Sequence, residues 1–259
     1  MLGTVTGYKQ IMKSIDRSLG TIAERPDVKR QAEYYLANIR NVTSAEEFIK
    51  DDRLYTFAMK AFGLEDMIYG KAFMRKVLTE GVDGEKSFAL QLADERFREF
   101  AEAFNFARYG STATAFDRAQ QGTVDRFVRM QLESDAGATD EGLRLALYFQ
   151  RKASTVTSVF GLMGDAALYK VAQTALGLPA AFSAVDIDRQ AAVISARLDI
   201  TDFQDPAKLE KFITRFTARW QAANGSGAQA VPQVGLSQSV LTVFDNSLLL
   251  SMQTLKGGR

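Results

Sequence analysis

Leu54-Tyr-Thr-Phe-Ala-Met-Lys-Ala-Phe-Gly-Leu64 returns 114 residues later as Leu168-Tyr-Lys-Val-Ala-Gln-Thr-Ala-Leu-Gly-Leu178. Extended outward without a gap, the match pairs residues 29–64 with 143–178. Thirteen of those 36 positions are identical: Arg30, Ala32, Tyr34, Val42, Thr43, Ser44, Asp51, Leu54, Tyr55, Ala58, Ala61, Gly63 and Leu64. Unrelated helical sequences of this composition share roughly 2 to 4, so the chain carries an internal duplication. Further on, Asp94, Phe97, Phe100 and Phe104 are answered by Asp205, Leu209, Phe212 and Phe216.

The repeated stretch reads as a helix. Leu54, Phe57, Ala58, Ala61 and Phe62 recur at three- and four-residue steps and share one face, and the second copy keeps that face. Asp51 and Asp165 precede the two runs as N-caps. Gly63 and Gly177 follow them where a left-handed residue ends a helix, with Leu64 and Leu178 placed for the accompanying apolar contact.

Composition narrows the chemistry. Of 259 residues 46% are hydrophobic, enough for a substantial core, and 32 basic against 31 acidic residues leave a net charge of +1. No basic run resembles an electrostatic footprint for nucleic acid. Without cysteine there is no disulfide, thiol nucleophile or thiolate metal site. Without histidine, Ser-His-Asp and Cys-His catalysis and nearly every zinc, copper or haem site are excluded. No run approaches the length of a membrane span, and the start lacks the charged and apolar regions of a cleaved signal peptide. Neither a Gly-rich phosphate loop nor a nucleophile elbow is present. The paired acids Asp51-Asp52, Glu65-Asp66 and Asp186-x-Asp188 stand at expected helix starts, where capping and the helix dipole favour them. No cofactor, metal or catalytic residue is nominated.

Along the chain, Tyr8, Ile11, Ile15, Leu19 and Ile22 predict one amphipathic helix outside the repeats, and Pro26-Asp27 opens the next helix. Ser44-Ala-Glu-Glu47 reads as a capping box. Glu65 is expected to begin a helix that Gly81 stops, with Lys71, Arg75 and Lys76 on its outer side, and Gly81-Val-Asp-Gly-Glu85 is a turn. A long helix from Ala115 connects the units until Asp135-Ala-Gly-Ala-Thr139 breaks it. In the second unit Ile187, Ala191, Ile194 and Leu198 are expected to face inward, as are Leu209, Phe212, Ile213, Phe216 and Trp220. Glycine, serine and proline over 223–232 mark a linker. Beyond it Leu236, Val240, Leu241, Phe244, Leu248, Met252 and Leu255 recur at helical spacing in a stretch with almost no charge. Such a helix needs cover, from the bundle or from a partner chain.

Several of these runs also carry a resemblance. Val42-Thr-Ser-Ala-Glu-Glu-Phe48, Arg53-Leu-Tyr-Thr-Phe-Ala-Met-Lys-Ala-Phe-Gly-Leu-Glu-Asp66 and Lys71-Ala-Phe-Met-Arg-Lys-Val-Leu78 resemble an uncharacterised proteobacterial family, a domain of unknown function. So do Glu141-Gly-Leu-Arg-Leu-Ala-Leu-Tyr-Phe149 and Val171-Ala-Gln-Thr-Ala-Leu-Gly-Leu-Pro-Ala-Ala181. The resemblance implies genes lying among flagellar basal-body, rod and hook genes, and it brings no activity and no functional residue with it.

The expectation is an all-α, multi-helix bundle built from two duplicated units with approximate pseudo-two-fold symmetry. Its parts are an N-terminal amphipathic helix (1–24), repeat 1 (25–112), a connecting helix (113–138), repeat 2 (139–223), a linker (224–235) and a C-terminal partner helix (236–259). The expected function is that of a non-catalytic scaffold or interaction protein of bacterial flagellar motility or assembly, cytoplasmic or flagellum-associated, with protein partners including flagellar components. Leu241, Phe244, Leu248, Met252 and Leu255 are the candidate partner-binding residues, and a groove between the units is the natural docking surface. The alternatives are a chaperone or regulator of a flagellar subunit, and a small-molecule binder or enzyme with its site between the repeats. Exposed apolar stripes at 8–23 and 236–255 accompany the first two readings, and a closed polar-lined pocket the third.

Overall fold

Asp51 Oδ1 accepts hydrogen bonds from the amides of Arg53 and Leu54, both at 3.0 Å. Asp165 Oδ1 does the same for Ala167 and Leu168, at 2.8 and 3.0 Å. These bonds satisfy donors that a helix start leaves free and set the first turns of Asp52–Ala61 and Ala166–Leu176. Gly63 and Gly177 then turn the chain at φ 70° and 68°, a backbone region costly for residues with a Cβ. One turn earlier the parallel continues, with Ser44 Oγ accepting from Glu47 N and Ser158 Oγ from Gly161 N. Glu47 reaches back to the amide and hydroxyl of Thr43, both at 2.8 Å, one residue beyond the serine expected from the capping box.

The computed structural model describes residues 3–92 and 94–224. The chain divides into a unit over Met1–Gln221 and a second over Ala222–Arg259. The first is built from α-helices and 3-10 turns, with no strand among the described residues, so the protein is all-α. Its chain begins with α1 (Thr4–Lys13), α2 (Ile15–Ala23), α3 (Pro26–Ile39), α4 (Ala45–Lys50) and α5 (Asp52–Ala61). It continues through α6 (Lys71–Glu80), α7 (Phe88–Gln91), α8 (Glu95–Ala103), α9 (Phe106–Tyr109) and α10 (Gln121–Thr139). It closes with α11 (Glu141–Lys152), α12 (Val159–Gly164), α13 (Ala166–Leu176), α14 (Ile187–Ser195) and α15 (Pro206–Asn224).

Two hydrophobic cores form. The first is aromatic: Tyr35 stacks on Phe57 at 4.5 Å between ring centroids, Phe57 on Phe127 at 4.2 Å, and Phe48 lies 4.7 Å from Phe104. The Tyr35 hydroxyl donates to the Ala119 carbonyl at 2.6 Å, satisfying its one polar atom inside that core. The second gathers Leu168, Val171 and Phe216 around Phe149, whose ring lies 5.1 Å from Phe203 and 5.4 Å from Phe212. Helix α10 belongs to both, giving Phe127, Val128 and Leu132 to the first and Ala136 to the second, and it packs on α5 and α11.

Several sequence expectations change. The N-terminal helix is two, broken at Ser14 (φ −138°, ψ 43°), and its apolar stripe is not free. Tyr8 enters the second core and Ile22 the first, with Ile11 packed against both, so the segment straps the two halves together. Glu65–Met67 is a 3-10 turn and the next helix starts only at Lys71. The connecting helix starts at Gln121, after two 3-10 turns, and runs through Asp135 to Thr139 without breaking. A Cβ on Gly137 would lie 2.9 Å from Arg144 Cδ, so this glycine serves close packing of α11 on α10 where a break was expected. Ile187 faces outward at 57% exposure, α14 ends at Ser195 before the buried Leu198, and Trp220 is only partly buried.

The duplicated tyrosines provide a paired test. Tyr55 is fully buried with an unpartnered hydroxyl, and burial raises its pKa to about 12. Tyr169, its counterpart, donates to Gln190 Oε1. Tyr55→Phe removes an unsatisfied polar atom and is expected to leave stability unchanged or raise it by up to about 1 kcal/mol. Tyr169→Phe orphans the Gln190 oxygen and is expected to cost about 1–3 kcal/mol. Urea denaturation of both variants decides the matter, and equal shifts would contradict the assigned partners.

Candidate functional site

A cleft of about 540 Å³ opens between the two halves. One wall comes from the end of α5 and the start of α8, the other from α11, α12 and the start of α13, and α10 contributes Arg126 and Met130. Nine of its lining residues are charged, each held by a partner. Asp94 caps α8 through the Arg96 amide at 2.9 Å and grips the Arg96 guanidinium at 2.6 and 2.9 Å. Arg96 also donates to the carbonyl of Gly63, the residue that turns the chain after α5.

Across the cleft Lys152, only 7% exposed, donates to Glu99, which also accepts from Arg126 at 3.0 Å. Burial favours the protonated form of Glu99, but these two cations outweigh it and hold its carboxyl below the ordinary range. Tyr148 donates to Asp165 Oδ2 at 2.5 Å, while the other oxygen of Asp165 caps α13. Burial first, and the neighbouring Asp165 charge second, push the Tyr148 hydroxyl well above its usual pKa.

Beneath the cleft sits Glu133, 2% exposed, on α10. It accepts from Arg151 at 2.8 and 2.9 Å and from Arg129 at 3.2 Å. Arg129 also donates to the Leu147 carbonyl and to Gln150 Oε1 of α11, at 3.3 and 3.1 Å. Burial alone disfavours the Arg151 charge, but its bonds to Glu133 more than restore it and its pKa lies above the ordinary value. A second groove, of about 550 Å³, lies beyond Glu99 and Arg126 inside the first half, where Arg108 meets Asp83 at 3.1 Å.

Of the sequence-nominated residues, Leu241, Phe244, Leu248, Met252 and Leu255 lie outside the described residues. The acidic pairs are separated into structural tasks. Asp51 and Asp186 cap helices, Asp52 meets Lys71 at 2.6 Å, and Glu65 meets Lys60 at 3.6 Å. The outer basic side of α6 is likewise paired, Arg75 with Glu46 and Lys76 with Glu80. Arg96, Lys152, Arg151 and Glu133 escaped sequence reasoning. One signal existed for Glu133, an acid beside Leu132 on the stripe of Phe127, Val128 and Ala136, with Arg129 four residues before it. Among the described residues no group of three or more acidic side chains is placed to hold a metal ion, and no helix is long and apolar enough to cross a membrane.

Two helical cores joined by a shared helix, with a cleft between them, define an all-α protein. The chain belongs to the family described as Protein of unknown function (DUF1217), whose model matches residues 61–209. It is similar to a protein of Agrobacterium tumefaciens solved by X-ray crystallography, with 44% identity, a TM-score of 0.80, and coverage of 85% of this chain and 94% of that one. None of the curated proteins compared matches it.

Glu133→Ala leaves Arg129 and Arg151 without their buried counter-charge and is expected to cost about 3–5 kcal/mol in chemical denaturation. Adding Arg151→Met to that variant is expected to recover part of the loss. Glu99 makes a separate, pH-dependent contribution. Its pKa is lower in the folded chain, so this contribution is complete above the unfolded glutamate value of about 4.3 and vanishes as pH falls through the lowered one. Thermal melting as a function of pH should show that Glu99→Gln is less stable at neutral pH and has a shallower acid limb than the parent.

Proposed function

We propose that this chain is a non-catalytic helical scaffold or interaction protein of bacterial flagellar motility or assembly, with the cleft between its two cores as the docking surface. The observation that carries this proposal is the make-up of the cleft. Both halves contribute to it, so an occupant spanning it touches Arg96 on one side and Arg144 on the other. Its ionisable groups are poised for recognition more than for proton transfer: Glu99 is held ionised and Tyr148 protonated at neutral pH. Paired charges around a concave surface fix the register of a partner while adding little to affinity. The flagellar connection and a cytoplasmic or flagellum-associated location rest on the sequence resemblance. One observation favours a small-molecule binder as the second reading: about 540 Å³ is the size of an ordinary ligand pocket, and Arg96 and Arg144 would suit a carboxylate.

The test is capture from motile cells, with bound proteins identified by mass spectrometry. Full-length protein is compared with Arg144→Glu on the cleft rim and with a form ending at Asn224. Recovery of flagellar components that Arg144→Glu reduces at least tenfold supports docking in the cleft. Loss only on truncation moves the contact to the C-terminal residues, and recovery by no form overturns the flagellar proposal. A saturable heat on titration with citrate, abolished by Arg144→Glu, would instead favour the small-molecule reading.

A further inference from the structure

Helix α15 reuses the frame of α8 with a different surface. Asp94, Phe97, Phe100 and Phe104 correspond to Asp205, Leu209, Phe212 and Phe216, which places Lys211 where α8 has Glu99 and Arg215 where it has Ala103. The charges of α8 are all engaged. Arg98 bridges Glu95 at 3.4 Å and Glu102 at 3.7 Å, Arg96 grips Asp94, and Glu99 holds Lys152 and Arg126. On α15, Lys208, Lys211, Arg215 and Arg219 are all exposed and follow one another at steps of three, four and four residues. With the turn and rise of an α-helix they fall within about 80° of arc and form a stripe about 16 Å long.

The stripe lacks counter-charges. Lys208 meets Asp202 at 2.6 Å, but among the described residues no acidic side chain pairs with Lys211, Arg215 or Arg219, nor with the exposed Lys170 of α13. Lys170 extends the patch, its ammonium lying 6.0 Å from the ring of Trp220, the residue after Arg219. The Arg219 guanidinium rests against Gly177 at the C-terminal end of α13, where the partial negative charge of a helix end favours a cation. The acids nearby are turned to other tasks. Glu210, the one acid within α15, lies about 140° round the helix from the middle of the stripe. It faces α1 instead, where burial first and the Glu210 charge second raise the pKa of the Tyr8 hydroxyl. Asp205 caps α15 by accepting from the amides of Ala207 and Lys208 at 2.9 and 3.3 Å. Helix stability does not account for the row, because like charges four residues apart, as in Lys211 with Arg215 and Arg215 with Arg219, destabilise a helix.

We infer that the basic stripe of α15, from Lys208 to Arg219, is a docking surface for an acidic α-helix of a protein partner. Charge complementarity sets the sign of the occupant, and geometry sets its form. A second helix turns and rises by the same amounts per residue, so carboxylates spaced three and four residues apart on it fall opposite these cations one for one. An anionic membrane fits less well, since no large apolar side chain is exposed on α15 to enter it. Nucleic acid also fits less well. Asp202 and Asp205 stand at the Lys208 end of the stripe, where a phosphate backbone would continue, and the whole chain carries a net charge of only +1. No residue of α15 lines the cleft, so this surface is separate from the docking site proposed there and does not rest on that reading.

Fluorescence anisotropy of the full-length chain with two labelled, alanine-rich helical peptides tests it. One peptide carries four glutamates at steps of three, four and four residues, and the other carries the same four glutamates consecutively. The spaced peptide is expected to bind at least ~tenfold more tightly than the clustered one and to weaken as salt is raised. Lys211→Glu with Arg215→Glu is expected to weaken it a further ~tenfold or more, and Lys211→Gln with Arg215→Gln provides a second disruption if the reversal folds poorly. The single variant Arg215→Gln should keep or raise the thermal melt at low salt, since it removes like-charge repulsion. A lowered melt would make Arg215 a structural residue and overturn the inference. So would equal binding of the two peptides, binding that survives both disruptions, or no binding of the spaced peptide. Tighter binding to phosphatidylserine vesicles or to duplex DNA than to the spaced peptide overturns it as well, in favour of a membrane or a nucleic acid.

Discussion

The joint between the two halves depends on one buried carboxylate. Glu133 lies on the helix that both cores share, and its charge is tolerable there only because Arg129 and Arg151 surround it with hydrogen bonds. Arg129 extends the constraint by bonding a carbonyl and an amide oxygen of α11, so the shared helix and its neighbour are held in one register. The charged side chains lining the cleft above are arranged from this point: Arg151 and Lys152 are consecutive on α11, one turned down to Glu133 and the other across to Glu99 on α8. Hydrophobic burial supplies most of the stability of each core. The alignment of the cores with one another rests on directional bonds, which apolar contact does not provide.

Duplication followed by divergence explains why two halves with one skeleton do different work. The shared features are those that start and stop helices, the Ser44 and Ser158 caps, the Asp51 and Asp165 caps, and the left-handed Gly63 and Gly177. These are local and survive in both copies because backbone hydrogen bonding requires them wherever the helix packs. The surfaces are free of that requirement. Arg53 lies over the Tyr34 ring in the first half, whereas the equivalent Tyr148 donates to Asp165 and lines the cleft. A conserved tyrosine thus changes from surface packing to site building without any change in the helix beneath it.

Much of the fold was legible because its signals are local. The period of Leu54, Phe57, Ala58 and Ala61, the aspartate caps and the glycine stops each act within one turn of helix, and each is present where the sequence places it. The misreadings share a cause. The helix break at Ser14, the unbroken helix at Gly137 and the outward Ile187 are set by what packs on them: two different cores on either side of Ser14, Arg144 against Gly137, and no neighbouring element over Ile187. Of the candidate site, the sequence foresaw a groove between similar units but none of the residues that line it. Arg96, Glu99, Tyr148 and Lys152 are charged or polar residues of ordinary helical sequence until α8 and α11 face one another.

By itself, the sequence determined the helical class, the duplication, the helix ends and the absence of histidine and cysteine chemistry, because these follow from residue identity and short-range periodicity. Only the tertiary structure decided that the N-terminal strap ties the two cores and that Glu133 is buried at their joint. Those facts depend on which surfaces meet after folding. Contact between residues far apart in the chain is a property of packing, and no local pattern encodes it.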